Sequence, residues 1–195
     1  MILDIHPLLS ILCSVLIING FYNLSKFVSK TKYLIFLENY AVGGRLISFF
    51  LIINFFSIIL YNFFLLFGIN EIYLKILIIL LILIGFYKPD NIQKLFKKYV
   101  LIDNKSKLLL FIIILGYALI SLLPITDPDS LDYHLTLPYL SLINKSFFVQ
   151  NEWFTSQLTG AGEALIIFGL SINAYKLSSI LQFVALLSII IAILD

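Results

Sequence analysis

Charge is what this sequence has least of. Only 12% of its 195 residues are Asp, Glu, Lys or Arg, whereas 61% are hydrophobic; soluble domains average about 25% charged residues. Because a charge at the bilayer centre costs at least about 2.5–3.5 kcal/mol, this composition is typical of a membrane protein. The net charge of +2 is too small to indicate a nucleic-acid partner. The partner that the composition predicts is the lipid bilayer.

Several sequence signals are also absent. The single cysteine, Cys13, lies in an apolar run, so no disulfide can form within the chain. No glycine-rich phosphate loop, paired-cysteine metal spacing or Gly-x-Ser-x-Gly motif occurs. The residues before the first apolar run include Asp4 but no lysine or arginine, so the basic region of a cleaved signal peptide is missing. We therefore expect the first apolar run to be a retained span.

Six apolar runs divide the chain. They cover residues 7–22, 46–67, 72–87, 108–125, 163–174 and 177–194. A membrane span needs about 20 residues, with a range of about 17–25. The run 163–174 is the shortest, so it either borrows residues from the preceding loop or forms a half-span. The pattern predicts an all-α, polytopic transmembrane bundle of about six spans.

Basic residues mark two of the connectors. The connector 23–45 carries four basic residues and one acid, and the connector 88–107 carries six basic residues and two acids. The positive-inside rule places both in the cytoplasm. The N-terminus and the acidic loop 126–160 would then be extracytoplasmic. Lys176, between the fifth and sixth runs, would return to the cytoplasmic side.

The interval from Pro124 to Glu163 is the one long polar stretch that lysine does not dominate. Its segment 127–130, Asp-Pro-Asp-Ser, predicts a turn and then a helix start. Pro138 should then break or kink that helix. We expect two short helices on the membrane surface, with a bend at 136–138. Glu163 heads the fifth span, where an acid suits a helix N-terminus.

Three carboxylates and a histidine lie close together in this interval: Asp127, Asp129, Asp132 and His134. Such a group can deprotonate an acceptor hydroxyl as a general base. It can also hold a divalent cation, Mg or Mn, against a phosphate leaving group. Helix capping and the ordinary acidity of an external loop explain the same residues without catalysis. The residues alone leave both interpretations open.

The run Asp129–Leu135, DSLDYHL, resembles the first external loop of the GT-C superfamily of membrane glycosyltransferases. The bacterial members of this superfamily, which are similar to the protein O-mannosyltransferase and aminoarabinose-transferase families, often carry an Asp four residues before a Tyr-His-Leu-Pro run. The stretches Asn151–Phe154 and Gly160–Leu165 are also similar to the downstream part of such proteins, and the resemblance covers about residues 108–181. It implies that Asp129 is the catalytic residue, acting as a base or as a metal-associated group.

The resemblance implies further properties. The donor would be a hexose or pentose on a polyprenyl phosphate, used at the extracytoplasmic face. Tyr133 and His134 match the motif without a role that we can derive. The proline expected directly after Tyr-His-Leu stands instead at Pro138. Three spans also precede the motif helix, whereas the family usually has none. We expect a three-span extension, residues 1–107, and then the start of a GT-C-like core, residues 108–195, which a membrane-protein partner would complete.

Two other functions remain open. The chain can be a non-catalytic membrane subunit or scaffold of a cell-envelope assembly, whose acidic loop binds a partner. A small transporter needs polar groups inside its spans. Asn54 and Asn62 share one face of the second run, but such a pair indicates a helix–helix hydrogen bond more than a substrate site. Replacing Asp129 by Asn distinguishes a transferase from a scaffold, because only a transferase would lose its activity.

Overall fold

A computed structural model describes residues 7–29, 41–87, 104–123, 131–149 and 160–194. These residues form α-helices and one π-helical segment, with no strand among them, which confirms the all-α class. The helices are α1 (Pro7–Ser29), α2 (Ala41–Phe67), α3 (Glu71–Gly85), α4 (Asn104–Leu122), α5 (Leu137–Asn144), α6 (Ala161–Leu170) and α7 (Leu177–Leu194). Of these, α1, α2 and α4 are long and apolar enough to cross a membrane.

The helices α1 and α3 make the closest backbone approach. A Cβ atom added to Gly20 would lie 2.6 Å from Cγ of Leu81 and would also clash with the Leu81 carbonyl oxygen, so no larger residue fits there without a shift. The side chains of Asn19 and Asn23 both donate to the carbonyl oxygen of Gly85, at 2.9 and 2.7 Å. Small residues and interhelical hydrogen bonds are what hold helices together in lipid, where both surfaces are apolar.

Aromatic rings join α6 to the first two helices. The rings of Phe21 and Phe56 lie 5.0 Å apart, and that of Phe168 lies 5.0 Å from Phe56 and 6.4 Å from Phe21. These distances fall in the range of favourable edge-to-face and tilted pairs. Phe21 and Phe168 are fully buried. The core of the described structure is therefore shared by α1, α2, α3 and α6.

The turn between α6 and α7 brings the chain back to the end of α4. The backbone N–H of Lys176 donates to Ser10 Oγ at 3.1 Å, in the first turns of α1. Its side-chain Nζ donates to the carbonyl oxygen of Leu123, directly after α4. The start of α7 therefore lies beside the end of α4, whereas Lys176 was expected on the side opposite to that end. The helix α6 has 10 residues, about half of a span, and the side of the membrane on which Lys176 lies stays a prediction.

The surface segment differs in detail from the expected pair of helices. From Leu131, the first described residue of this segment, the chain is helical and continues through a π-helical segment, Asp132–Thr136, directly into α5. We call residues 131–144 the loop helix. Pro138 lies in the first turn of α5, where its missing N–H is tolerated. The bend expected at 136–138 is therefore a change of helix type rather than a break.

The residues directly after the loop helix contact the turn between α2 and α3 and the end of α2. The N–H of Ile69 donates to the carbonyl oxygen of Lys145 at 2.7 Å. The ring of Phe147 lies 5.2 Å from that of Tyr61 and 5.9 Å from that of Phe64. The residues directly after the loop helix therefore lie against the last turns of α2, and α6 packs against both α5 and α2.

Parts of the predicted topology lie outside the described residues. These include the acidic residues 127–129 and most of the basic connectors. The number of spans, the division at residue 107 and the orientation across the bilayer stay predictions. Asn54 and Asn62 are described, and each donates to the carbonyl oxygen four residues earlier in α2, at 2.9 and 2.8 Å. Among the residues that the structure describes, they make no helix–helix hydrogen bond of the kind their spacing suggested.

Candidate functional site

The predicted site residues are only partly described. Asp127 and Asp129 lie outside the described residues. Asp132 and Tyr133 are described through their backbone, which lies in the π-helical segment together with His134. The described part of the motif is therefore helical from Leu131 onward, at the end of the bundle where α4 finishes and α7 begins.

The local sequence explains the π-helical segment. Pro138 has no N–H, so it cannot make the α-helical hydrogen bond to the carbonyl four residues earlier, that of His134. The hydroxyl of Thr136 donates to the carbonyl oxygen of Leu131 at 2.6 Å, which is five residues earlier. Leu135 and Leu137, on either side of Thr136, are both buried. Single π turns inside α-helices are frequent at functional sites.

His134 faces a carboxylate from another helix. Its Nδ1 lies 3.7 Å from Oε1 of Glu163, the third residue of α6. The His134 side chain is 46% exposed, whereas that of Glu163 is only 9% exposed. The second oxygen of Glu163, Oε2, accepts the N–H of Gly160 at 2.8 Å. The pair combines an accessible imidazole with a buried and anchored carboxylate.

The sequence predicts Glu163 at a helix start, but no sequence pattern connects it to His134. The two residues are far apart along the chain, and no spacing rule links a loop to the next apolar run. A weak signal is present: Glu163 directly precedes an apolar run, and buried carboxylates need a partner.

Lys176 is a second charged residue at this end of the bundle, and no sequence motif marks it as functional. It is 1% exposed and lies in the turn between α6 and α7. Burial lowers the pKa of its ammonium group. Its Nζ donates to the carbonyl oxygen of Leu123, only a few residues before Asp127 and Asp129. It therefore fixes the point at which the chain leaves α4 towards these acids.

The chemistry available at this end of the bundle is acid–base and electrostatic. The described residues contain no group of three or more His, Cys, Asp or Glu that could hold a metal ion. Asp129, the residue suggested to associate with Mg or Mn, lies outside them, so that suggestion stays a prediction. An imidazole can accept or donate a proton near neutral pH, and a lysine ammonium can neutralise nearby negative charge.

The comparisons with known proteins give one match. A family model described as "DUF1420 N-terminal domain" matches residues 82–195. This is more than half of the chain, and it contains the end of α3, the helices α4–α7 and every candidate site residue. No curated protein and no solved structure matches the chain.

Proposed function

The chain belongs to the DUF1420 family, and on that premise we propose that it is part of a GT-C-like membrane glycosyltransferase. The donor is a hexose or pentose on a polyprenyl phosphate. The reaction takes place at the membrane face that bears the loop helix, which is the extracytoplasmic face by the distribution of basic residues. Asp129 is the catalytic residue.

One observation carries this proposal. The motif that resembles the GT-C external loop continues into a helix that lies across the end of the bundle, between the end of α4 and the start of α6 in the chain. Two contacts hold this helix against the bundle: the hydrogen bond from the Ile69 N–H to the Lys145 carbonyl oxygen, and the contact of His134 with Glu163. The arrangement supports a catalytic loop at the membrane surface, because the reacting groups of a lipid-linked donor lie at that depth.

The roles follow from the chemistry of the transfer. The acceptor hydroxyl loses a proton as its oxygen bonds to the sugar, and the bond from the sugar to the polyprenyl phosphate breaks. Asp129 takes the proton as general base. The negative charge that develops on the leaving phosphate needs a cationic partner, which a divalent cation or a nearby basic residue supplies.

The surface of α4 suits a lipid-linked donor. Only 6% of its apolar stretch is buried inside the described structure. Its exposed side chains include Leu108, Phe111, Ile112 and Leu119. A polyprenyl chain can lie along such a face, directly below the point where the chain leaves α4 for Asp129.

The proposal is tested in membranes that contain the protein with its full reading frame. Radiolabelled hexose and pentose donors on polyprenyl phosphate are added, and transfer to membrane acceptors is measured. We expect Asp129→Asn to lower the rate by about 100-fold or more, since a general base contributes about 10²–10⁴-fold. Asp127→Asn removes a neighbouring carboxylate and should have a much smaller effect. Unchanged transfer in Asp129→Asn would exclude Asp129 as the base.

The exposure of α4 also favours a second candidate function, a non-catalytic subunit of a cell-envelope assembly. A partner helix can cover the same apolar face that we assign to the donor lipid. Copurification with a larger membrane protein, together with full function of a variant in which Asp129 and Asp132 are both replaced by Asn, would support this alternative.

A further inference from the structure

The carboxylate of Glu163 is held in one place by two features of α6. Its Oε2 accepts the N–H of Gly160 at 2.8 Å, so the side chain caps the start of its own helix. A negative charge is also favourable at a helix N-terminus. The side chain is 9% exposed, and α6 packs against both α2 and α5. The carboxylate is therefore the fixed member of the pair with His134.

His134 is the accessible member. It lies in the π-helical segment, and its side chain is 46% exposed. The 3.7 Å between its Nδ1 and Oε1 of Glu163 is within reach of electrostatic attraction, and a small side-chain movement closes it to a hydrogen bond. When Nδ1 carries the proton that faces a carboxylate, the ring has one preferred tautomer and its Nε2 is the nucleophilic nitrogen.

The position of His134 relates this pair to the motif. His134 lies in the same π-helical segment as Asp132, and this segment follows Asp129 closely in the sequence. Because Glu163 comes from a different helix, the contact also holds this run against α6. Removing the carboxylate would thus change both the tautomer of the ring and the placement of the loop helix.

We propose that Glu163 is a positioning residue that orients the imidazole of His134 by holding its Nδ1 edge towards α6. This part of the inference rests on the transferase function that we propose above. In that reaction the oriented ring assists the sugar transfer for which Asp129 is the general base. The orientation itself can be measured without any transfer assay.

The test uses the reactivity of the ring. The chain has two histidines, so His6→Asn leaves His134 as the one histidine. In carbethoxylation with diethyl pyrocarbonate, a neutral imidazole nitrogen attacks a carbonyl carbon and ethyl carbonate leaves. The rate is measured by mass spectrometry on purified protein at pH 8. We expect Glu163→Gln to lower it about threefold, because the carboxylate no longer increases the electron density of the ring.

Two further variants control for charge and folding. Glu163→Asp keeps the charge but shortens the side chain by one methylene group, so it should give a rate between those of the parent and Glu163→Gln. Glu71→Gln removes the carboxylate that pairs with Lys75 at 2.5 Å on α3 and should change nothing at His134. Equal rates in the parent and Glu163→Gln would overturn the proposal, as would a loss in Glu71→Gln as large as that in Glu163→Gln.

The transfer assay then separates this inference from the proposed function. If the chain takes part in glycosyl transfer, Glu163→Gln should lower kcat about tenfold with little change in KM, because it alters a group needed in the transition state. A slower carbethoxylation in a protein that shows no transfer would sustain the role of Glu163 and contradict the transferase. Normal transfer by Glu163→Gln with slower carbethoxylation would show that the oriented ring has no part in the reaction.

Discussion

The seam between α1 and α3 and the surface of α4 differ in how much space surrounds their glycines. At Gly20 a Cβ atom would clash with the carbonyl oxygen of Leu81, whereas a Cβ atom at Gly116 in α4 would meet nothing within 4 Å. The first helices are held by close backbone contact and by the amide side chains of Asn19 and Asn23. The helix that leads into the candidate site packs against α7, and Lys176 contacts the residue directly after its end.

This difference indicates that the two regions have different roles. The seam between α1 and α3 is a scaffold whose stability depends on close packing, because a methyl group is already too large at Gly20. The α4 surface has no such constraint, so lipid or a partner can cover it. The helix α7 packs against both α1 and α4 and so joins these two regions.

The largest effect should come from a pair of glycine substitutions. Gly20→Ala forces the backbones of α1 and α3 apart and should destabilise the protein by about 1–3 kcal/mol, as overpacking does. Gly116→Ala adds the same methyl group to an open surface and should be neutral or stabilising by up to about 1 kcal/mol. Thermal unfolding in the same detergent measures both. Equal losses in the two variants would contradict the difference between the regions.

A pair of asparagines tests the polar part of the seam. Asn23→Ala removes the donor to the Gly85 carbonyl, and also the acceptor of the Lys26 ammonium at 2.7 Å. We expect a loss of about 0.5–2 kcal/mol, the range for interhelical hydrogen bonds in membranes. Asn62→Ala removes a side chain that donates only within its own helix, and it should cost much less. If Asn62→Ala is the more damaging change, the buried amides do not hold the seam.

A smaller effect is expected at the end of the loop helix. Ser141 is buried; its hydroxyl donates to the Leu137 carbonyl and accepts the N–H of Phe148, both at 2.9 Å. Ser141→Ala removes both hydrogen bonds of this hydroxyl and should cost about 1 kcal/mol. Ser146→Ala, at an exposed hydroxyl, is the matched control. In proteoliposomes, the susceptibility of the loop 126–160 to protease should rise for Ser141→Ala and stay unchanged for Ser146→Ala.

Much of this fold can be read from hydropathy. Each of the six apolar runs corresponds to a helix, and the run 72–87 and the helix Glu71–Gly85 differ by only a residue or two at each end. Helix starts were also predictable where capping chemistry is local, as at Glu163. The tight contact of Gly20 with Leu81 was not, because a glycine in an apolar run gives no sign of which helix it will face.

The candidate site was predictable only in its location. The acidic motif and Pro138 indicated a surface helix with a local irregularity, and the π-helical segment is that irregularity. The contacts of His134 with Glu163 and of Lys176 with Leu123 join residues from different helices, and patterns along one chain do not reveal such pairs. The contact of Lys176 with the end of α4 was not predicted, because apolar runs were taken to alternate across the membrane.

The most direct test of this arrangement is the side of the membrane on which the turn between α6 and α7 lies. Cys13→Ala removes the one cysteine of the chain, and single cysteines then replace Asn173 in that turn, Ser146 after the loop helix and Lys105 at the start of α4. The arrangement predicts that a membrane-impermeant maleimide applied from one side labels the cysteines at 173 and 146 together and the one at 105 only from the other side. Labelling of 173 together with 105 would contradict it.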